Sequence, residues 1–437
     1  MEKLAVMGGK SVVTNKHPHF VWPLIETEER EAVIRQMATG EISINDRTGI
    51  IKELENDFAK YHGVEYALSV NNGTSALYSA YFACNIHEGD EVIVPAYTFM
   101  ATVTPLLHLN AVPVLCDGQS DTGNILPSEV LKKITPRTKA IVVTHMWGHP
   151  CEMDEIVKIA KEHKWYLIED CAHAHGATHK GKKVGTFGDV SCFSLQGKKI
   201  IYAGEGGILI TNNREIYERA ILLGHYRKRT YEEVDIPFFK SFSKTGYGLK
   251  FRMHPLAAAL AKVGLEKLDS RIKQRTANLD YLSELLAEIP GIEPPVTYDY
   301  VTRGAYYGYK PLFKQNEIGI SYKTYMWALQ AEGVEVHTPG SPPLNRYQLF
   351  QNYTNSNVGK KWLGEWPLRN GFATSEKRYK VGAFPNVEDY YSKILSLPTF
   401  TNEGDKEIIE LYAKAFRKVY ENREVLLKME EGKKCQN

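Results

Sequence analysis

Two adjacent lysines, Lys198 and Lys199, stand in SCFSLQGKKIIYAGEGGILIT between an apolar run and a glycine-rich turn. An amine kept partly out of water gives up its proton more easily, and a free amine forms an imine with a carbonyl. The same pair also reads as two solvated loop lysines. Upstream, LIEDCAHAHGA puts Asp170 at the end of an apolar run, where a carboxylate is costly unless paired. Such an acid could face a protonated heteroaromatic nitrogen, and His173 could hydrogen-bond a substituent of that ring. A capped turn with core histidines is the plainer alternative. Cys171, His173 and His175 alternate, which on a strand would place them on one face as metal ligands. No second ligand cluster accompanies them, and no metal is expected. Further upstream, SVNNGTSAL offers Gly73 for close backbone approach, with the hydroxyls and N–H groups of Thr74 and Ser75. A helix begins there, and its unpaired amides and dipole favour a phosphate. Thr and Ser also cap helices that bind nothing.

These stretches need a frame that brings them together. Strands are predicted at 91–94, 112–116, 140–145, 165–170, 189–195 and 207–211. Helices are predicted at GTSALYSAYFACN, TFMATVTPLLHL, PSEVLKKI and MDEIVKIAKEH between them. Strands alternating with helices imply a mainly parallel sheet covered on both faces. In such sheets ligands bind beyond the carboxyl ends of the strands, where the chemistry-bearing stretches fall. A long helical stretch follows over 255–286, then prolines at 290, 294 and 295. The domains are expected as 1–262, a large domain with the N-terminal segment, and 263–437, a smaller α+β domain. The second contains an aromatic-rich irregular insertion at about 338–385, expected as a lid over the substrate, and ends in a helix over 404–429.

The bulk composition narrows the classes of function. The chain has 437 residues, with 54 basic against 52 acidic side chains, which points to neither nucleic acid nor an anionic membrane as partner. No apolar run approaches a membrane span, and the N-terminus has no signal-like apolar core. Six cysteines without a CxxC pair fit reduced thiols in a cytoplasmic protein. GGKS at 8–11 ends like a Walker loop but has Leu4 where its first glycine belongs. GEGG at 204–207 lacks dinucleotide-fingerprint spacing and leads into a strand.

A phosphate cradle, then a strand-terminal Asp, then a Lys about thirty residues on is the order used by one large class of pyridoxal-phosphate enzymes. The motifs GTSAL, VIVPAYTFMAT, EDCAHAHGA, GDVSCFSLQGKK, GEGG and FRMHPLAAALA, in that order, resemble the DegT/DnrJ/EryC1/StrS family of sugar and aminocyclitol aminotransferases. The resemblance implies an α/β protein of pyridoxal-phosphate fold type I, like aspartate aminotransferase. Its large domain would carry a mostly parallel seven-stranded sheet, and its sites would lie at a homodimer interface. It implies that Lys199 holds pyridoxal 5'-phosphate, Asp170 pairs with the ring nitrogen, His173 lies by the ring hydroxyl and Phe99 stacks on the ring. Gly73, Thr74 and Ser194 would hold the phosphate, with Ser75 beside them. The family often has Phe-His where Leu195-Gln196 stand. It also often has, at the place of Lys250, an Asn that reaches the partner's phosphate. A lysine there can still serve a phosphate, as a point charge.

The activity implied is transamination of a keto-cyclitol or keto-sugar, free or nucleotide-linked, with L-glutamine or L-glutamate as donor. The setting implied is biosynthesis of an amino sugar, aminocyclitol or antibiotic-like metabolite. Two alternatives are an aromatising lyase of the same family and a regulatory protein that keeps the cofactor without turnover.

Overall fold

The computed structural model describes residues 2–351 and 379–434. The central part of the expected lid, 352–378, lies outside the described residues, as does Cys435.

The predicted alternation folds into one seven-stranded sheet. Its strands are β1 (Tyr66–Val70), β2 (Glu91–Pro95), β3 (Val112–Cys116), β4 (Thr138–Thr144), β5 (Tyr166–Asp170), β6 (Val190–Ser194) and β7 (Gly207–Thr211). The spatial order is β1-β7-β6-β5-β4-β2-β3. From β3 through β2, β4 and β5 to β6 every pairing is parallel; β7 is antiparallel to both β6 and β1. Side chains alternate in β2: Val92 and Val94 pack on one face with Ala76, Leu77 and Ala80 of the helix Gly73–Ala83. Ile93 packs on the other with Ile156 and Ala160 of the helix Met153–His163. A sheet buried on both faces has no polar side, which is why these strands read as continuous apolar runs.

Two predicted helices are each broken in two. The stretch 255–286 resolves into Pro255–Glu266 and Leu268–Ala287, and the closing helix into Lys406–Glu421 and Arg423–Lys434. Leu279, Leu282 and Leu286 join Tyr325, Leu329, Ile409 and Phe416 in a second core, completed by Leu4 and Val13. The N-terminal segment therefore packs into the C-terminal unit before it crosses to the sheet. Trp22 then donates from Nε1 to the Lys199 carbonyl, 3.0 Å away.

A buried charge cluster fixes the end of β1, from which the phosphate-binding candidate departs. The Glu55 carboxylate accepts from the Ser69 amide and hydroxyl at 2.8 Å each, and from the Arg229 guanidinium at 2.9 and 2.7 Å. The five described cysteines are buried and unpaired. Among the described residues, no helix is long and apolar enough to cross a membrane.

Candidate active site

A cavity of about 490 Å³ opens beyond the carboxyl ends of β1, β5 and β6. Gly73, Thr74, Phe99, Asp170, His173, Ser194 and Lys199 all line it. Residues more than a hundred positions apart meet there because parallel strands deliver their carboxyl ends to one edge of the sheet.

Strand β5 ends in Glu169 and Asp170, whose side chains leave on opposite sides. Glu169 ties the frame together. It accepts from the amides of Gly185, Phe187 and Gly188 at 2.7–2.8 Å and faces His145 Nε2 at 3.1 Å. Asp170 turns to the cavity and is only 4% exposed. One oxygen accepts from Thr102 Oγ1 at 2.7 Å and the other from the Ala172 amide at 3.0 Å. Burial pushes its carboxyl above the ordinary range, against the pull of those two donors. An acid so placed gains from a cation brought into the cavity.

After β6 the chain folds back on itself, with Leu195 and Gly197 donating to the carbonyls of Gly206 and Gly204. This turn separates the two lysines. Lys198 is exposed, whereas Lys199 is buried and reaches the cavity. Burial lowers the Lys199 amine to about 7, partly opposed by the Asp170 charge. At neutral pH a good share of it is unprotonated and nucleophilic. Its Nζ lies 3.8 Å from the centroid of Tyr307, which stacks on His173 at 4.1 Å. Trp147 stacks on the same histidine at 5.4 Å. His173 is held neutral by burial and by the charges of Lys199 and Lys310. Its buried Nδ1 has no hydrogen-bond partner among the described residues.

The third part is a cradle. Asn72 caps the helix Gly73–Ala83, its Oδ1 accepting from the Ser75 amide at 2.8 Å. A Cβ on Gly73 would lie 2.9 Å from Ser194 Cβ, and one on Gly207 would lie 2.4 Å from the Asn72 carbonyl oxygen. Glycine at 207 thus lets β7 lie directly under the helix start, which gives the GEGG run a structural purpose. Ser194 packs against the first turn of the helix, and both line the cavity at a helix start that favours a phosphate.

Together these groups suit a flat nitrogen heterocycle bearing a carbonyl and a phosphate. A buried acid suits a ring cation, an amine of lowered basicity suits the carbonyl, and a buried imidazole nitrogen has no partner among the described residues. The cofactor expected from the motifs fits each of them.

The other candidates are placed differently. Ser75 is buried beneath the helix start, its amide engaged by Asn72, and it does not line the cavity. Phe99 stands at the mouth, 49% exposed. Lys250 is exposed, bridged through its backbone to His225, and away from this chain's cavity. Cys171, His173 and His175 do not share a strand face, because β5 stops at Asp170 and they follow in turns. His175 Nε2 instead meets the Ser194 carbonyl oxygen at 3.0 Å. Sequence reasoning missed Thr102, Trp147 and Tyr307. Thr102 lies within the quoted VIVPAYTFMAT stretch, four residues after Thr98, so its position on a helical turn was a usable signal. Trp147 and Tyr307 carry none, since isolated aromatics are mostly core.

Comparison with known proteins agrees with this geometry. The profile of the DegT/DnrJ/EryC1/StrS aminotransferase family matches residues 23–366. The chain is 32% identical over 425 residues to the L-glutamine:2-deoxy-scyllo-inosose aminotransferase of Streptomyces fradiae, covering 95% of this chain and 97% of that protein. It is 30% identical over 404 residues to the spore coat polysaccharide biosynthesis protein SpsC of Bacillus subtilis strain 168, covering 91% and 96%. In structure it is similar to 3-amino-5-hydroxybenzoic acid synthase, with a TM-score of 0.76 and 27% identity over 92% of this chain and 98% of that one.

Proposed function

The chain belongs to the DegT/DnrJ/EryC1/StrS aminotransferase family, and from that premise we propose which ketone it aminates and which of its residues do the work. It is a pyridoxal-phosphate-dependent transaminase of amino-sugar or aminocyclitol biosynthesis. The acceptor we assign is a keto-cyclitol or keto-sugar, free or nucleotide-linked, and the donor is L-glutamine or L-glutamate. The named activity of the Streptomyces relative, matched along nearly its full length, supports the cyclitol and glutamine side of this reading. The polysaccharide role of the Bacillus relative supports the sugar side.

One observation carries the residue assignment: Lys199, Asp170 and the Gly73–Ser194 cradle converge on a single cavity while Lys198 is turned to solvent. When bound, pyridoxal phosphate supplies an electron sink for a carbanion at the substrate carbon. Gly73, Thr74 and Ser194 hold its phosphate at the helix start. Asp170 keeps a proton on its ring nitrogen, with Thr102 and Ala172 fixing the carboxylate. Neutral His173 would hydrogen-bond the ring hydroxyl, and Phe99 would stack on the ring. Lys199 holds the cofactor through its amine. As a free amine it would be the group placed to hold and move a proton at the reacting carbons. Its lowered basicity suits it to do both near neutral pH.

The same reading has the protein act as a homodimer in the cytoplasm. Lys250, exposed and away from its own cavity, then reaches the partner's phosphate, and the five buried thiols stay reduced. An aromatising lyase is the second reading, favoured by the structural likeness to 3-amino-5-hydroxybenzoic acid synthase. A half-reaction screen separates the two. Transamination requires glutamine or glutamate to convert the cofactor to its amine form and a ketone to convert it back. A strongly ultraviolet-absorbing aromatic product formed without any donor would support the lyase instead. No response to any donor would leave a protein that binds the cofactor without turnover.

A further inference from the structure

Lys310 is a second buried lysine at the cleft between the two units, and the chemistry above leaves it unused. Its ammonium lies 4.5 Å over the ring of Trp147, which lines the cavity, and donates to the Ser396 hydroxyl. Burial lowers it to about 7, with no neighbouring charge opposing the shift. The other buried cations are accounted for. Lys418 pairs with Glu332, and Arg229 with Glu55 and Glu233. Arg275 gives its N–H groups to Thr401 Oγ1 and the Ala305 carbonyl, and Arg303 to Thr297 Oγ1 and the Val296 carbonyl. Apart from Lys199, Lys310 is the buried amine among the described residues that lacks an acidic partner and perches against the cavity wall; the Arg275 guanidinium, also beside Tyr307, is held by Thr401 and the Ala305 carbonyl. Its neighbours confirm that position: Tyr307, three residues before it, and Ser341, on the segment beside Ser396, both line the cavity.

The cavity lining makes this charge useful. It holds the carboxylates of Asp170 and Glu205 against one lysine, Lys199, which is committed to the cofactor. An amino-acid donor brings its own carboxylate into that space. A carboxylate entering a partly desolvated site beside two acids needs a cation, and a flexible four-carbon stem can bring one. We propose that Lys310 is the residue that receives the α-carboxylate of the amino donor, its ammonium moving from Ser396 past the edge of Trp147. A keto-cyclitol or neutral keto-sugar carries no carboxylate, so Lys310 selects the donor and not such an acceptor. This rests on the transamination reading.

The test uses the holoenzyme and follows cofactor absorbance in each half-reaction. In Lys310→Met the half-saturating concentration of L-glutamate and L-glutamine should rise about 100-fold, as expected for losing one charge-assisted contact. In Lys310→Arg it should stay within about tenfold of the parent. Half-saturation by 4-aminobutanamide, which is glutamine without its α-carboxylate, should not change, nor should the rate at which the amine form reacts with the ketone. Equal weakening toward glutamine and 4-aminobutanamide, or equal slowing of both halves, would make Lys310 a support for Trp147 and overturn the proposal; so would unchanged donor affinity. Lys310→Gln, which keeps a donor for Ser396, replaces the methionine variant if that one fails to fold, with the same expectations. If the parent protein itself answers no amino donor, the transamination reading has failed, a result distinct from any of these.

Discussion

Replacing Asp170 by Asn removes one charge and almost nothing else. The carboxylate accepts two hydrogen bonds, from the Ala172 amide and from Thr102. The amide oxygen can keep the first. The new NH2 can donate to Thr102, whose hydroxyl then turns to Thr98, 2.7 Å away; Thr98 in turn contacts Thr144 at 3.0 Å. The chain of threonines can thus reverse its direction, keeping the contacts among Thr102, Thr98 and Thr144. Burial disfavours the Asp170 charge, so the variant apoprotein should melt at the same temperature as the parent or above it. Activity should respond in the opposite direction. Without an anion the ring nitrogen no longer stays protonated, and removal of a preorganised electrostatic partner costs about 3 kcal/mol of transition-state stabilisation. That is roughly a 100-fold loss in the single-turnover rate with glutamine. The assay is stopped-flow loss of the visible cofactor band at saturating donor, with occupancy checked by phosphate analysis. A rate within threefold of the parent at full occupancy would refute the role given to Asp170, whatever happened to stability.

Other consequences follow from single contacts. Gly207→Ala puts a methyl 2.4 Å from the Asn72 carbonyl oxygen, so the cradle must shift; cofactor affinity by equilibrium dialysis should fall at least about tenfold while the circular dichroism spectrum is retained. Lys310 is lowered to about 7 in the folded chain and is ordinary in the unfolded one. The unfolded state therefore binds a proton that the folded state does not, and apoprotein stability should rise with pH between about 7 and 10. Lys310→Met should flatten that rise by up to about 1 kcal/mol per pH unit in urea titrations at pH 7.5 and 9; an unchanged slope would show that the lysine stays charged. Lys199→Ala and Lys250→Ala should each be nearly inactive alone, yet mixing them should return activity, because one site of the mixed dimer carries neither lesion. Proven subunit exchange without recovery would place Lys250 in its own chain's chemistry.

Much of this was legible from residue order. Asp170, His173 and the lysine pair could be named because strand-end chemistry follows from the alternation of apolar runs with helices, Ser194 was named through the family motifs, and the strands at 112–116 and 207–211 have the predicted bounds. The choice between Lys198 and Lys199 was not a matter of local sequence. It depends on how the 195–206 turn folds back, which is set by backbone bonds to Gly204 and Gly206. Ser75 looked like a phosphate contact because its type fits, but the neighbouring Asn72 side chain takes its amide first. Strand β1 was given no bounds, although SVNNGTSAL was read as following a strand end, because Ser69 interrupts the apolar run of YALSV. Tyr307, Trp147 and Lys310 come from the cleft between the two units, so only tertiary packing reveals them. The breaks in the two long helices, at Lys267 and Asn422, carry neither Pro nor Gly to announce them.

The central claim is that Lys199, and not its neighbour, carries the cofactor. Borohydride reduction of the purified holoenzyme, followed by proteolysis and peptide mass mapping, tests it directly. The account predicts a single pyridoxyl adduct on Lys199 and loss of the visible band in step with labelling. An adduct on Lys198, on Lys310 or on any other residue, with Lys199 recovered unmodified, would contradict it.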